Sequence, residues 1–302
     1  MAYRIAGDDR SVEQAVRRIA REQIGKAIRS IDRRDQAHAV HDVRRRCKKL
    51  RALVRMVRPA FPGYARENAA FRDIARIISG SRDARVMLAT HDLLAAELGK
   101  GHDRRALGAV RRRLTLQRKA EAALADPSAF LDLCRAQLVE ARERAQAWEV
   151  SADGWAAIGP GVARTFDRLH RDWCRANTAP DAEAYHMARK QVKYHGFHTR
   201  LLSPLWPEAM TVRLEVAEQL GEMLGLHHDL WVFESRLAAD AQSFGNASAV
   251  DALLSLARLK RAGIEDASRV LADRLRSETP PALAERWGAL WAGWQCEPIS
   301  RS

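Results

Sequence analysis

His41, Arg44, Lys48, Arg51 and Arg55 recur at steps of three and four residues, with Arg45 beside them. On a helix, that spacing gathers side chains onto one face. A row of guanidinium and ammonium groups offers hydrogen-bond donors and positive charge to a repeating anion. The planar fork of Arg fits two phosphate oxygens at once. At about 100° per residue, Val43, Cys47, Leu50, Val54 and Val57 take a separate arc, the face expected to be buried. Residues 41–58 contain eight Lys or Arg and a single acid, Asp42, which helical geometry turns away from the row. Solvated faces ordinarily interleave the signs, because like charges four apart repel. The missing counter-charge is therefore expected from outside the helix.

The pattern returns at an offset of 145, from 41 to 186. His41-Asp-Val-Arg44-Arg45-x-x-Lys48 matches His186-Met-Ala-Arg189-Lys190-x-x-Lys193. At the same offset Arg55 falls on Arg200, and Pro59-Ala-Phe61-Pro62 falls on Pro204-Leu-Trp206-Pro207. One residue later in register, Arg82-Asp83-x-x-Val86 meets His228-Asp229-x-x-Val232. Four features in one order on one spacing identify a duplication, which predicts two similar bundles related by a pseudo-twofold axis. In the second copy His186, Arg189, Lys190, Lys193 and Arg200 share a face, with Ala188, Val192 and Leu202 on the apolar side. Gly196 stands where Arg51 would fall, so this row is thinner.

The remaining histidines invite a metal reading. His38 and His41 are three apart, as are His195 and His198, and His227-His228-Asp229 is a dense cluster. A helical metal site normally adds inward carboxylates in a Glu-x-x-His pattern, and no Glu stands three before any of these. Cations around His41 and His186 would also repel a divalent ion. No metal or other cofactor is expected, and His195 and His227 read as structural. His41 and His186 are expected to donate to phosphate. As nucleophiles they would need an orienting carboxylate, which Asp42 is not placed to be, so no catalytic residue is assigned. Asp83 and Asp229 read as helix-start acids favoured by the dipole. Phosphate-loop, G-x-G-x-x-G, G-x-S-x-G and zinc-ribbon spacings are absent.

Presenting two such rows demands long helices, and the rest of the chain supplies them. Ala, Leu, Arg, Glu and Gln dominate, and no run of alternating β-branched residues stands out. The fold class expected is all-α. Breaks fall at Pro59–Tyr64, Ser79–Ser81, Gly99–Asp103, Asp126–Ser128, Ser151–Gly161, Asn177–Asp181, Ser203–Pro207, Ser243–Asn246 and Thr279–Pro281. Asp126-Pro127-Ser128, Pro180-Asp181 and Asn246 carry helix-start residue types. The stretch Val150–Gly161 has the poorest helical period and is taken as the boundary between repeats at residues 1–155 and 156–302. Lys+Arg 51 against Asp+Glu 38 gives a charge of +13, and all but eight of those cations are Arg. That balance predicts affinity for polyanions. Arg17, Arg18, Arg21 and the seven Lys or Arg of residues 104–119 are assigned peripheral roles. Cys47, Cys134, Cys174 and Cys296 form no C-x-x-C pair and read as reduced, buried thiols of a cytosolic protein. The charged N-terminus does not fit a signal peptide, and no apolar stretch is long enough to span a membrane.

The two copies of His-x-x-Arg-[Arg/Lys]-x-x-Lys, each followed by a Leu/Ser-Gly turn and by Arg/His-Asp, resemble the CHAD family (conserved histidine α-helical domain). HMARKQVKYHGFHTRLLSPLWP followed by LGLHHDLWVF is the nearer likeness, and the resemblance runs over residues 11–295. It implies two antiparallel helical bundles around a central basic channel. It also implies binding of inorganic polyphosphate without turnover, with location on polyphosphate granules in the cytoplasm. The family's histidines and following cations fall on His41, Arg44, Arg45, Lys48 and Arg51, and on His186, Arg189, Lys190 and Lys193. Many members carry a further Arg where this chain has His195-Gly196. Two other readings remain open: non-specific nucleic-acid binding through backbone phosphates, and a histidine-dependent phosphotransfer or metal enzyme. Apart from Tyr194 and Phe197 the rows lack aromatics on which bases would stack.

Overall fold

The structure, a computed structural model, describes residues 3–33, 35–78, 80–124 and 127–296, apart from the side chains at 80–85, 100, 121–124 and 127. Among the described residues there are eleven α-helices and no strand. They are α1 (Val12–Asp32), α2 (Gln36–Met56), α3 (Tyr64–Ile77), α4 (Gly80–Leu98), α5 (Arg104–Leu124), α6 (Pro127–Arg144), α7 (Gly154–Thr178), α8 (Ala182–Leu201), α9 (Pro207–Ala239), α10 (Ala247–Leu275) and α11 (Pro280–Cys296). The all-α expectation holds. Each cationic row lies on a helix, α2 or α8, that ends in a short 3-10 turn, Arg58–Ala60 or Ser203–Leu205.

The predicted breaks fall between these helices, and local chemistry sets the ends. Asp35 accepts from His38 N to open α2, Asp181 accepts from Ala184 N to open α8, and Asn246 accepts from Ala249 N to open α10. Each carboxylate or amide oxygen takes one of the first-turn N–H groups that have no partner within the helix. Ser79 and Asp126 lie outside the described residues, as do the side chains of Arg82 and Asp83.

The break at Ser151–Gly161 is shorter than the sequence suggests, because α7 begins at Gly154 and carries Pro160 within its first turns. Gly161 is a packing residue rather than a turn. A Cβ there would sit 1.9 Å from the Met56 carbonyl oxygen, so α7 meets the end of α2 backbone to backbone. Three further hydrogen bonds tie sequence-distant ends together. Val12 N donates to Asp153 Oδ1, Val150 N to Glu13 Oε2, and Ile5 N to the Leu201 carbonyl.

Two hydrophobic cores follow. The larger is built from α1, α2, α3, α6, α7, α8 and α11 with the first half of α9 and the end of α10, around buried Phe71, Phe166, Trp173 and Trp287. The smaller joins α4 and α5 to the second half of α9 and the first half of α10, around Leu94, Leu230 and Phe233. Each core draws on both residues 1–155 and residues 156–302. Burying a side chain of this size is worth about 2 kcal/mol against leaving it in water, so these contacts hold the rows in place. His198 adds a polar staple, because its buried Nε2 donates to the Ala52 carbonyl at 2.9 Å and links α8 directly to α2.

Candidate anion-binding groove

The apolar arc of α2 is buried as expected: Val43, Cys47, Leu50, Val54 and Val57 are inaccessible to solvent. Ala188, Val192 and Leu202 do the same for α8. The opposite faces of both helices open onto a groove made of two adjoining cavities, of about 510 and 520 Å³. Arg44 and Lys48 from α2, Arg189 and Lys193 from α8, and Phe197 line both cavities. One cavity adds Arg51, Arg72, Arg76, His186, Lys190, Tyr194, His228 and Asp229. The other adds His41, Arg45, Lys49, Arg200 and Glu218. Along α2 the order runs from His41 in the second cavity to Arg51 in the first. Along α8 it runs from His186 and Lys190 in the first to Arg200 in the second. The two rows therefore traverse one groove in opposite senses.

Neighbouring helices shape what these cations can do. Arg44 Nη1 donates to the Ala75 carbonyl of α3 at 3.2 Å, and Arg51 Nε donates to Asn68 Oδ1 at 3.2 Å. Arg189 and Lys193 lie along α9 where that helix has no side chains. A Cβ at Gly225 would come 3.3 Å from Arg189 Nη2, and one at Gly221 would come 3.4 Å from Lys193 Nζ. The Leu-Gly-Leu-His-His-Asp segment is thus the middle of a 33-residue helix and not a turn. Asp229 accordingly does not cap a helix start. It lines the groove beside His228.

Concentrated positive charge shows in the titration behaviour. Burial, followed by the charges of His228, Lys190, Arg189 and Lys48, pushes the His186 pKa down to about 4. Its ring packs on His228 at 4.7 Å between centroids, and its buried Nδ1 has no hydrogen-bond partner among the described residues. Lys49 falls to about 8 through burial and then Arg46, Arg200, Arg45 and Lys26. Lys190 and Arg51 are also lowered, in each case chiefly by burial. A bound anion would reverse these shifts, since an opposite charge favours the protonated form.

Not every predicted residue faces the groove without a protein counter-charge. Asp42 is buried and takes hydrogen bonds from Arg45 and Arg46, so the row is partly compensated within its own helix. Burial alone would raise the Asp42 pKa, but those bonds outweigh it and hold the carboxyl below its usual range. Arg200 pairs with Glu218 across the α8–α9 contact at 2.5 Å. Arg55 lines neither cavity and lies over the Tyr194 ring at 4.4 Å. His195 is fully buried beside Phe166 and Trp287 and accepts from Arg213 Nε, and His227 contacts Glu265, as structural residues do.

Arg72, Arg76, Lys49 and His228 join the site without having been assigned to it from the sequence. Arg72 and Arg76 stand four apart on α3, and His228 occupies the register of Arg82, the one signal that pointed to it. Arg17 and Arg18 are engaged elsewhere, with the Trp148 carbonyl and with Asp9. Cys47 and Cys134 are buried, which lifts their pKa values to about 12 and about 11. Cys174 and Cys296 are exposed, contrary to expectation, because each lies on the outer face of its helix. No helix among the described residues is long and apolar enough to cross a membrane.

Comparison with known proteins bears on this arrangement. No curated protein matches the chain. Two solved structures share its fold over most of its length. One is PptA from Streptomyces chartreusis, with a TM-score of 0.62 and 14% identity, covering 87% of this chain and 98% of that one. The other is the CHAD domain from the plant Ricinus communis, with a TM-score of 0.59 and 18% identity, covering 91% of this chain and 98% of that one. The family model of the CHAD domain matches residues 13–238, a span that includes both cationic rows. By that match, over well more than half of its length, the chain belongs to the CHAD domain family.

Proposed function

We propose that the groove binds inorganic polyphosphate and does not turn it over. The observation that carries this reading is the meeting of two sequence-distant cationic rows in one groove, with Arg44, Lys48, Arg189 and Lys193 at its middle. A chain of phosphates presents charge at a regular interval, so successive residues on α2 and α8 neutralise successive groups. Each neutralised phosphate releases bound counterions. Affinity then falls with the logarithm of salt by about 0.7 per contact, taking a flexible single-stranded polyanion as the guide. Membership of the CHAD family supports the same reading. Its cellular counterpart is attachment to polyphosphate granules in the cytoplasm. We read residues 1–155 and 156–302 as the duplicated halves that each contribute one row.

Nucleic acid is the weaker reading. Tyr194, which a base would stack on, is buried beneath Arg55. Duplex DNA is stiff over about 150 base pairs, whereas a flexible phosphate chain can adapt to the groove. Phosphotransfer is disfavoured because Asp42, the acid next to His41, is buried and held by Arg45 and Arg46. Arg44→Glu combined with Arg189→Glu tests the assignment by titration with long-chain polyphosphate alongside circular dichroism. The expected outcome is a loss of affinity of at least a hundredfold with unchanged helical content. Retained binding by the folded variant would show that the rows are solvated faces only.

A further inference from the structure

Arg55 belongs to the α2 row but lies outside the groove, and its surroundings are cationic in their own right. Its guanidinium carbon is 4.4 Å from the centroid of the Tyr194 ring, which Arg51 approaches at 6.0 Å from the groove side. Past that ring, Arg58 on the 3-10 turn lies over Tyr64 at 4.5 Å. From α7 come Arg164, exposed, and Arg168, half-buried, one helical turn apart. Arg55, Arg58 and Arg164 all act on Arg168, whose pKa is lowered by burial and then by their charges. Gly161, three residues before Arg164 and seven before Arg168 on the same face of α7, packs against the backbone of Arg55 and Met56, so four guanidiniums from three elements share one patch.

Several arginines elsewhere are paired with a carboxylate: Arg111 with Asp92, Arg135 with Asp32, Arg144 with Glu67, and Arg258 with Glu234. None of Arg55, Arg58, Arg164 and Arg168 forms an ion pair among the described residues, and Arg55 Nε is buried without a hydrogen-bond partner. Like charges gathered without compensation disfavour the folded state unless an anion joins them. The Arg55 and Arg58 guanidiniums lie over the Tyr194 and Tyr64 rings, which restricts their motion and leaves their N–H groups as donors for oxyanions.

We propose that Arg55, Arg58, Arg164 and Arg168 form a further oxyanion subsite that receives a polyphosphate chain where it leaves the groove past Tyr194. This rests on the groove being a polyphosphate site and adds a length requirement to it. Tripolyphosphate is satisfied within the groove, whereas a long chain also reaches the arginine patch.

The test replaces only the two α7 residues, which line neither cavity. Arg164→Glu with Arg168→Glu, and the milder Arg164→Gln with Arg168→Gln, are titrated with tripolyphosphate and with long-chain polyphosphate at several salt concentrations. The glutamate pair should weaken long-chain binding about tenfold and flatten its salt dependence by about one contact or more. The glutamine pair should show a smaller loss in the same direction, and tripolyphosphate should bind within twofold of the unaltered protein. Unchanged long-chain affinity would overturn the subsite while leaving the groove assignment intact. Equal losses for both ligands would overturn it too, since a distinct outer subsite cannot affect a ligand that does not reach it. Failure of the unaltered protein to bind either ligand would remove the groove reading itself.

Discussion

α2 and α8 carry the same sequence of residue types, but their neighbours give the two rows different work. At position 51, α2 faces Asn68 of α3 and the open cavity, so a long cation fits. At the matching position 196, α8 presses against α9. A Cβ on Gly196 would already come 3.4 Å from the Ala217 Cβ, which leaves no room for an arginine. Arg55 and Arg200 match as well. Arg55 lies over Tyr194 among other arginines, whereas Arg200 is paired with Glu218. The duplicated motif fixes which residue types are offered. Packing decides which of them remain available to a ligand, and it leaves α2 the richer row.

The comparison can be broken most forcefully at Gly196. Gly196→Arg, which would restore the cation of the first copy, should destabilise the protein by about 3 kcal/mol, because it forces bulk and an unpaired charge into the α8–α9 seam. Denaturant unfolding reads this directly, and a stable variant with raised affinity would show that the seam is not what excludes a cation. Next in size is the contrast at the row ends. Arg55→Ala should weaken long-chain polyphosphate binding about fivefold, while Arg200→Ala, whose charge Glu218 already meets, should change it by less than twofold. Equal effects in the same titration would erase the difference between the rows.

The smallest effect is one of pH, and it belongs to α8. His186 and His198 both have pKa values near 4 in the folded protein, against an ordinary value of about 6.5. Between those limits the unfolded chain binds more protons, so stability falls as pH drops from about 6.5 towards 4. Binding runs the other way for His186, because a polyanion raises its pKa and takes up a proton. Affinity should rise about threefold from pH 7 to pH 5, and His186→Asn should flatten that profile. An unchanged profile in the variant would detach His186 from the ligand.

Helicity, the two rows and most helix boundaries could be read from the sequence because each depends on local periodicity or on a cap. Asp181 and Asn246 open their helices through bonds to residues three positions on. What escaped depended on contacts between distant segments. Gly161 looked like part of a linker, although it is small so that α7 can touch the Met56 carbonyl. Gly225 suggested a turn, although it and Gly221 clear a track for Arg189 and Lys193. The pairing of Arg200 with Glu218, and the entry of Arg72 and Arg76 into the groove, follow from helix packing that no spacing in the sequence encodes. His228 falls between these cases, visible through its register with Arg82 but placed only by α9.

The most direct test of the central claim is a competition titration of the unaltered protein with long-chain polyphosphate, duplex DNA and ATP at physiological salt. The account predicts that polyphosphate displaces both competitors and that neither displaces it at matched phosphate concentration. Equal affinity for duplex DNA would contradict it and leave the groove a general polyanion surface.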